Sequence, residues 1–466
     1  MKNFLFFFMT LFLTASTTQA LAPESIFQNE FLMTEDILSR HAIHPNIKSP
    51  TSLVSNQLVL SILQDRDNKV SNEFHIPKYF FNATRFWFGI YTQYSTDHIV
   101  IHDRENLKLI YDIMDFSEVT KSALNRFVKN SMMQKFSQDR VVFIKKLISE
   151  LSQHPQGTTP ANKRLLNLIK LSGSKIPLNS KLSKKFFLDL ADNVRTQTGQ
   201  RDMIYQGVLN SIPYLPYMEE QAKSFELPKE MLAIPFLESS FNTKARSKVG
   251  ASGIWQIMPI IESKIISKDK NIEGRGNPFI ATIAAFHLLK QNYRILDRWD
   301  MSVTAYNSGT KHLLKAIQVL KLKKPTLEYI FEKYDHPHLG FASKNFYAEF
   351  LALVHVLAYR NQVYPLEKIE DPDYLNIRRN SVAIYVAKCP FIPDEIYDHM
   401  KKISPELEKI NQHFLYSHRR YPKGTFFISD VNLNTGLFYK LSGRQMREGY
   451  PINWPKLIKN QSCSTR

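Results

Sequence analysis

One acidic side chain, Glu238, stands at the end of an apolar run (Met231, Leu232, Ile234, Phe236, Leu237). It is followed by an acid-free stretch of small, serine and basic residues that leads to Gly253-Ile254-Trp255-Gln256. A carboxyl at the end of a buried apolar helix is partly desolvated, which disfavours its charged form and raises its pKa towards the range where it donates a proton near neutral pH. That is how a general acid is built. Pro228 suits the first position of the helix, and the apolar spacing runs on to Leu237. Pro235, inside it, removes a backbone hydrogen bond and predicts a kink that aims Glu238 into a cleft. The plainer reading of Glu238 is a solvated carboxylate at a helix end.

What the neighbourhood lacks narrows the chemistry. A retaining or inverting glycosidase sets a second carboxylate opposite the acid, yet no Asp or Glu occurs between Ser239 and Ile261 or between Met301 and Leu327. The sequence by itself shows only that this second carboxylate is missing from the two stretches. Downstream, Ala305-Tyr306-Asn307-Ser308-Gly309 sets two polar side chains at a helix end. By position alone Asn307 could be a plain helix C-cap. A third stretch, Phe341 to Tyr347, ends on a tyrosine.

Glu238-Ser239, Phe241-Asn242, Ala245, Ser247, Gly250-Ala251 and Gly253 to Pro259 together resemble the soluble lytic transglycosylase (SLT) domain of bacterial murein-cleaving enzymes. Ala305 to Gly309 is similar to the family's Ala-Tyr-Asn-x-Gly motif, and Tyr347 to the tyrosine of its closing motif. Gly-Ile-Trp-Gln stands here where the family has a Gly-Leu-Met-Gln-type segment. The resemblance implies that Glu238 is the sole catalytic acid/base and that Ser239, Gln256, Met258, Tyr306, Asn307 and Tyr347 bind substrate. Within that set, Gln256 and Asn307 would make N-acetyl or backbone contacts, and Tyr306 and Tyr347 would orient the sugar and Glu238. It further implies that Glu238 protonates the glycosidic oxygen between MurNAc and GlcNAc, then takes the proton from the 6-hydroxyl as that oxygen attacks C1. A 1,6-anhydro end results, with no cofactor. Two alternatives stay open: a lysozyme-type peptidoglycan hydrolase that finds its base elsewhere in the fold, and a non-catalytic murein-binding scaffold.

The elements that must hold these residues read as mainly α. A lysozyme-like all-helical catalytic domain is expected over residues 197–365. It has an amphipathic helix through Ile204, Val208, Leu209 and Ile212, a long apolar helix from Phe279 to Leu296 opened by the Asn277-Pro278 cap, and a last helix from Ala342 to Tyr359. Residues 21–196 form a mainly helical accessory region with no recognisable catalytic motif. Its aromatics (Tyr79 to Tyr94) read as helical core before a sugar-stacking platform, His98 to Asp103 alternates like one short strand, and Val141, Val142, Ile144, Leu147, Ile148 and Leu151 recur at helical spacing. Residues 366–449 follow the order strand, helix, helix, strand of a small α+β, degenerate LysM-like element. They are also similar to the spacer of membrane-bound lytic transglycosylase D-type proteins. Residues 450–466 are a loose basic tail.

At the front, Lys2, the apolar Phe4–Leu13 core and the small polar stretch ending at Ala20 read as a signal peptide over residues 1–20, with no cysteine at the cleavage region. The expected location is therefore the periplasm or the exterior, in peripheral association with the cell envelope. The formal charge of +18 over 466 residues suits an anionic polymer such as peptidoglycan glycan strands with their peptide carboxylates, and no nucleic-acid motif accompanies it. A solvated surface would account for the charge nearly as well. Cys389 and Cys463 form no metal pattern, and one disulfide is open to them in an oxidising compartment. The closest histidine pairs, His41/His44 and His336/His338, have no carboxylate or cysteine grouping around them, so no metal is expected. The protein is expected to act as a monomer.

Overall fold

The structure, a computed structural model, describes residues 55–117, 126–364, 382–433 and 436–463. The expected signal peptide and the His41/His44 pair lie outside them. The described residues divide into two compact units: one holds those up to Asp67 and those of Ile76–Met203, the other Asn68–His75 and the described residues from Ile204 on.

The first unit packs helices on a small antiparallel sheet. Strand β1 (His98–Asp103) lies between β2 (Ile110–Asp115) and β3 (Val194–Thr198), with Ile101 opposite both Asp112 and Thr196. The sequence pattern had indicated β1 alone. β3 reads Val-Arg-Thr-Gln-Thr, too polar and too short to announce itself, and it pairs with a strand some ninety residues away. Ile99, Ile101, Leu109 and Tyr111 from the sheet meet Ile144, Ile148 and Leu151 of the helix Arg126–Gln153 and Phe187 of the helix Ser180–Asp192 in one core. Val142 is 65% exposed, unlike its apolar neighbours, because adjacent residues cannot share one helix face. Phe86, Trp87, Phe88 and Tyr91 are buried along the helix Phe81–Thr92, which makes them core.

The second unit is helical around Pro278–Leu296. Asn277 caps this helix with its side-chain oxygen on the Phe279 and Ile280 N–H groups, and Pro278 opens it. Phe279, Ile280, Ala281, Ile283, Ala284, Ala285, Phe286 and Leu289 are all fully or almost fully buried; a helix apolar on every side sits inside its domain. Around it stand Arg201–Ser211, Leu215–Ser224, Ile234–Ser239, Trp299–Ser308, Thr310–Val319 and Phe341–Ala358. The short segment Asn68–His75 belongs to this unit as a strap. Ser71 donates from its backbone N–H and its hydroxyl to Glu230 (3.1 and 3.0 Å), Lys69 lies 4.5 Å over the Tyr359 ring, and Phe74 sets its edge on Phe350.

The C-terminal part of the unit runs strand, helix, helix, strand as expected: β4 (Ala383–Ala387), Pro393–Met400, Leu407–Ile410 and β5 (Phe426–Ser429). A third strand, β6 (Phe438–Lys440), completes the sheet on the other side of β4. Asn277 Nδ2 donates to the Ile410 carbonyl (2.8 Å), tying this element to the central helix. The expected loose tail is packed: Trp454 and Ile458 are buried, the Trp454 indole donates to the Gly449 carbonyl, and Cys463 is bonded to Cys389. A lone tryptophan in a basic stretch was the available signal. Among the described residues no helix is long and apolar enough to cross a membrane.

The disulfide spans 74 residues, and a cross-link of that length removes unfolded-state freedom worth roughly 4 kcal/mol. Cys463→Ser should lower the urea midpoint by a corresponding amount without altering the far-UV circular dichroism of the folded protein. An unchanged midpoint would show that Trp454 alone holds the tail.

Candidate active site

Glu238 sits on a helix too short to stand by itself. The chain passes from the 3-10 turn Lys229–Ala233 into Ile234–Ser239, with Pro235 in the first turn of that helix. The expected single kinked helix is thus two short ones. Pro235 breaks no hydrogen bond where it lies, since the first-turn N–H groups have no intrahelical partner. Directly after Ser239 the chain reverses through two left-handed residues, Ser240 (φ 49°) and Phe241 (φ 56°). Such backbone is held only where packing fixes it. Phe241 is fully buried, with its ring near Phe236 and Tyr214, and Gly207 presents no side chain where the Ser240 carbonyl presses in.

The Glu238 carboxyl is only partly exposed, and it makes no hydrogen bond or ion pair with any described residue. Burial pushes its pKa up to about 8. Tyr306, itself raised by burial, lies close enough to feel the Glu238 charge.

Opposite runs the acid-free loop, pinned at several points. Trp255 is fully buried, and its indole N–H donates to Thr282 of the central helix (3.0 Å). The Tyr306 hydroxyl donates to the Trp255 carbonyl (2.8 Å). Ser239 is 8% exposed; its hydroxyl lies 3.0 Å from the Ile254 carbonyl and 3.0 Å from the Pro235 carbonyl, and it accepts the Asn242 N–H. The Ser239 hydroxyl thus ties the end of Ile234–Ser239 to the loop. Gln256, at φ 46°, turns its amide nitrogen into its own loop, onto the Gly253 carbonyl (2.9 Å) and the Ala245 carbonyl (3.4 Å). Met258 is partly exposed at the loop's end, where Pro259–Ile261 begins.

Three residues here were missed in the sequence. Arg275 donates to the Gly250 carbonyl (2.7 Å), to Glu262 (2.5 Å) and to Glu273 (2.6 Å), while Glu262 also accepts the Gly274 N–H (2.7 Å). Burial, with Glu273 alongside, pushes the Glu262 pKa up to about 7. A Cβ at Gly253 (φ 74°) would overlap the Arg275 carbonyl oxygen, so glycine is required at this crossing. Nothing local marks Arg275 as special; its partners lie on both sides of a loop.

Tyr306 and Asn307 are in the last turn of Trp299–Ser308, and Gly309 (φ 86°) is the cap. That removes the C-cap reading of Asn307. Its side-chain oxygen accepts the Ser343 hydroxyl (3.3 Å), and its amide N–H groups have no partner among the described residues. Tyr347, on Phe341–Ala358, is 3% exposed and stacks on Phe350. Its hydroxyl pKa is raised by burial first and then by Asp300.

Four other carboxylates near these elements in sequence are engaged, Glu230 by Ser71, Glu262 and Glu273 by Arg275, and Asp300 by Arg298 (2.8 Å), and a fifth, Glu349, is buried on Phe341–Ala358. Among the described residues no group of three or more His, Cys, Asp or Glu is arranged to hold a metal. The site can donate and then accept one proton.

The raised pKa carries a stability signature. Between pH 4.5, where Glu238 ionises in the unfolded chain, and about 8, where it ionises in the fold, unfolding releases a proton, so stability falls as pH rises through that window. Glu238→Gln removes this loss. The variant should melt at a higher temperature than the parent at pH 8.5 and at nearly the same temperature at pH 4. Equal melting differences at both pH values would mean that the carboxyl is not desolvated.

Comparison with known proteins agrees with the geometry. The family described as "Transglycosylase SLT domain" matches residues 216–326. Membrane-bound lytic murein transglycosylase D of Escherichia coli (strain K12) is 28% identical over 144 residues, which is 30% of this chain and 32% of that protein. The putative tributyltin chloride resistance protein of Alteromonas sp. (strain M-1) is 32% identical over 113 residues, 24% of this chain and 55% of that protein. The match spans about a third of the first relative and about half of the second. The segment that matches the SLT-domain family, residues 216–326, is thus the one that carries Glu238, the Trp255 loop, Tyr306 and Asn307.

Proposed function

We propose that the protein is a peptidoglycan lytic transglycosylase that cleaves the MurNAc-β-1,4-GlcNAc bond without water and leaves a 1,6-anhydro-MurNAc end. The observation that carries this reading is the solitary carboxyl of Glu238, dry enough to hold its proton up to pH about 8. In that form it protonates the glycosidic oxygen as the bond to C1 breaks. The acetamide oxygen of the same MurNAc stabilises the cationic C1. Glu238, now a carboxylate, takes the proton of the 6-hydroxyl as O6 bonds to C1. The acid is regenerated and no atom is gained from solvent. Asn307, whose oxygen is held by Ser343, offers its amide N–H groups to the acetamide oxygen. Tyr306 and Tyr347 shape the wall around the sugar, and Met258 contacts it at the end of the loop.

The single carboxyl also separates this reading from hydrolysis. A hydrolase needs a base to activate water; Glu262 and Glu273 serve Arg275, Glu230 serves Ser71 and Asp300 serves Arg298. The Cys389–Cys463 bond supports export to an oxidising compartment, in keeping with residues 1–20 as a signal peptide and with action in the periplasm. The formal charge of +18 would hold the enzyme near its anionic substrate.

Digestion of murein sacculi followed by mass spectrometry tests the chemistry. Released muropeptides should be lighter by one water than hydrolysis products and inert to borohydride. Reducible ends would make the protein a hydrolase, and tight binding without release would make it a scaffold. Glu238→Gln should abolish release and leave binding to sacculi intact. Because the acid form begins the reaction, kcat/KM should fall about tenfold per pH unit above pH about 8.

A further inference from the structure

In the first unit, the helix Ser180–Asp192 buries Ser183, Phe187, Leu190 and Ala191. Its outer face sets leucines among lysines: Lys181, Leu182, Lys184, Lys185 and Leu188 are all exposed and follow one another at spacings of three and four. Leu182 is 57% exposed and Leu188 44%, and Leu178, one turn before Leu182, is fully exposed. A leucine just ahead of a helix N-cap ordinarily packs on the fourth helical residue. Here that residue is Ser183, which is buried, and Leu178 stands in solvent. Exposed apolar residues scattered singly need no explanation, whereas a contiguous group marks an interaction surface.

The charge around these leucines has one sign. No Asp or Glu occurs between Leu151 and Leu188, and the helix's own acids, Asp189 and Asp192, come only in its last turn. Lys170 and Lys175 add exposed cations ahead of the helix. The segment is also held from beneath. The Asn106 amide donates to the Ser172 and Ser174 hydroxyls (3.1 Å each), Ile176 packs on the core of the unit, and the Asn179 side chain accepts the Leu182 N–H (3.1 Å). Leu178 therefore stands out from a backbone fixed on both sides.

An anionic polymer of sugars and peptides would answer the lysines and leave the leucines in water. A second copy of the chain would set like charges against each other. An anionic bilayer meets both needs, with hydrocarbon for the leucines and headgroup charge for the lysines. We propose that this face docks on an anionic phospholipid membrane, with Leu178 and Leu182 below the headgroups and Lys175, Lys181, Lys184 and Lys185 at their level. The face lies outside residues 216–326, the SLT-domain match, and does not rest on the reaction proposed for Glu238.

Co-sedimentation with vesicles tests it, using the chain without residues 1–20 so that the apolar stretch Phe4–Leu13 does not bind lipid by itself. The protein should partition onto vesicles of phosphatidylcholine and phosphatidylglycerol in equal parts, bind phosphatidylcholine alone far more weakly, and release in high salt. Leu178→Ser with Leu182→Ser, and separately Lys181→Gln with Lys184→Gln and Lys185→Gln, should each weaken partitioning at least about tenfold. All five side chains are exposed, so melting curves and sacculus digestion should be unchanged in both variants. Absence of partitioning onto the anionic vesicles, or partitioning that either variant leaves unaltered, overturns the proposal. Loss of sacculus binding in the lysine variant, with vesicle binding intact, would assign the face to murein and overturn it as well.

Discussion

A carboxyl kept away from water without a partner is the constraint that the second unit is built to satisfy. Among the described residues Glu238 has no cation or N–H donor to stabilise its charge, and burial pushes its pKa up to about 8. The neighbouring cations are kept off it. Lys244, Arg246 and Lys248 are exposed, and Arg246 acts on Glu273, while Arg275 is taken up by two carboxylates and a carbonyl. A guanidinium turned towards Glu238 would hold it ionised and remove the acid. Phe241, three residues beyond Glu238, and Trp255 of the loop are both fully buried.

Much of this frame was legible because local chemistry and tertiary packing agree there. Asn277-Pro278 begins a helix in any context, and the apolar residues that follow leave that helix no place except the interior. Gly309 ends Trp299–Ser308 in the only backbone region that suits it. Glu238 stood out because the surrounding sequence withholds other acids. Pro235 misled because its position relative to the helix start decides its effect, and that start is set by the preceding 3-10 turn.

The parts that could not be read depend on long-range pairing. Ser71 and Glu230 are 159 residues apart, and no periodicity near Ser71 announces that it will stabilise the approach to Glu238. β3 and β6 are short strands completed by partners distant in sequence. Arg275 falls in the same class. Its two acids lie at both ends of a loop, and only folding shows that they enclose one guanidinium and hold the Gly250 carbonyl.

The loop also shows which backbone groups several motif residues hold. Gly250, Gly253 and Gln256 all have positive φ, a conformation that cannot continue a helix or a strand, so much of the loop's backbone has no regular partner. Side chains supply the missing donors: Tyr306 to the Trp255 carbonyl, Ser239 to Ile254, Gln256 to Gly253 and Ala245, Arg275 to Gly250. A residue type can therefore recur in such a cleft for the sake of one carbonyl oxygen, and its presence in a motif does not distinguish that role from a contact with sugar. The distinction lies in what each group has left to offer. Among the described residues Ser239 and the Gln256 amide nitrogen are committed to the loop, whereas Glu238 and the Asn307 amide N–H groups make no hydrogen bond.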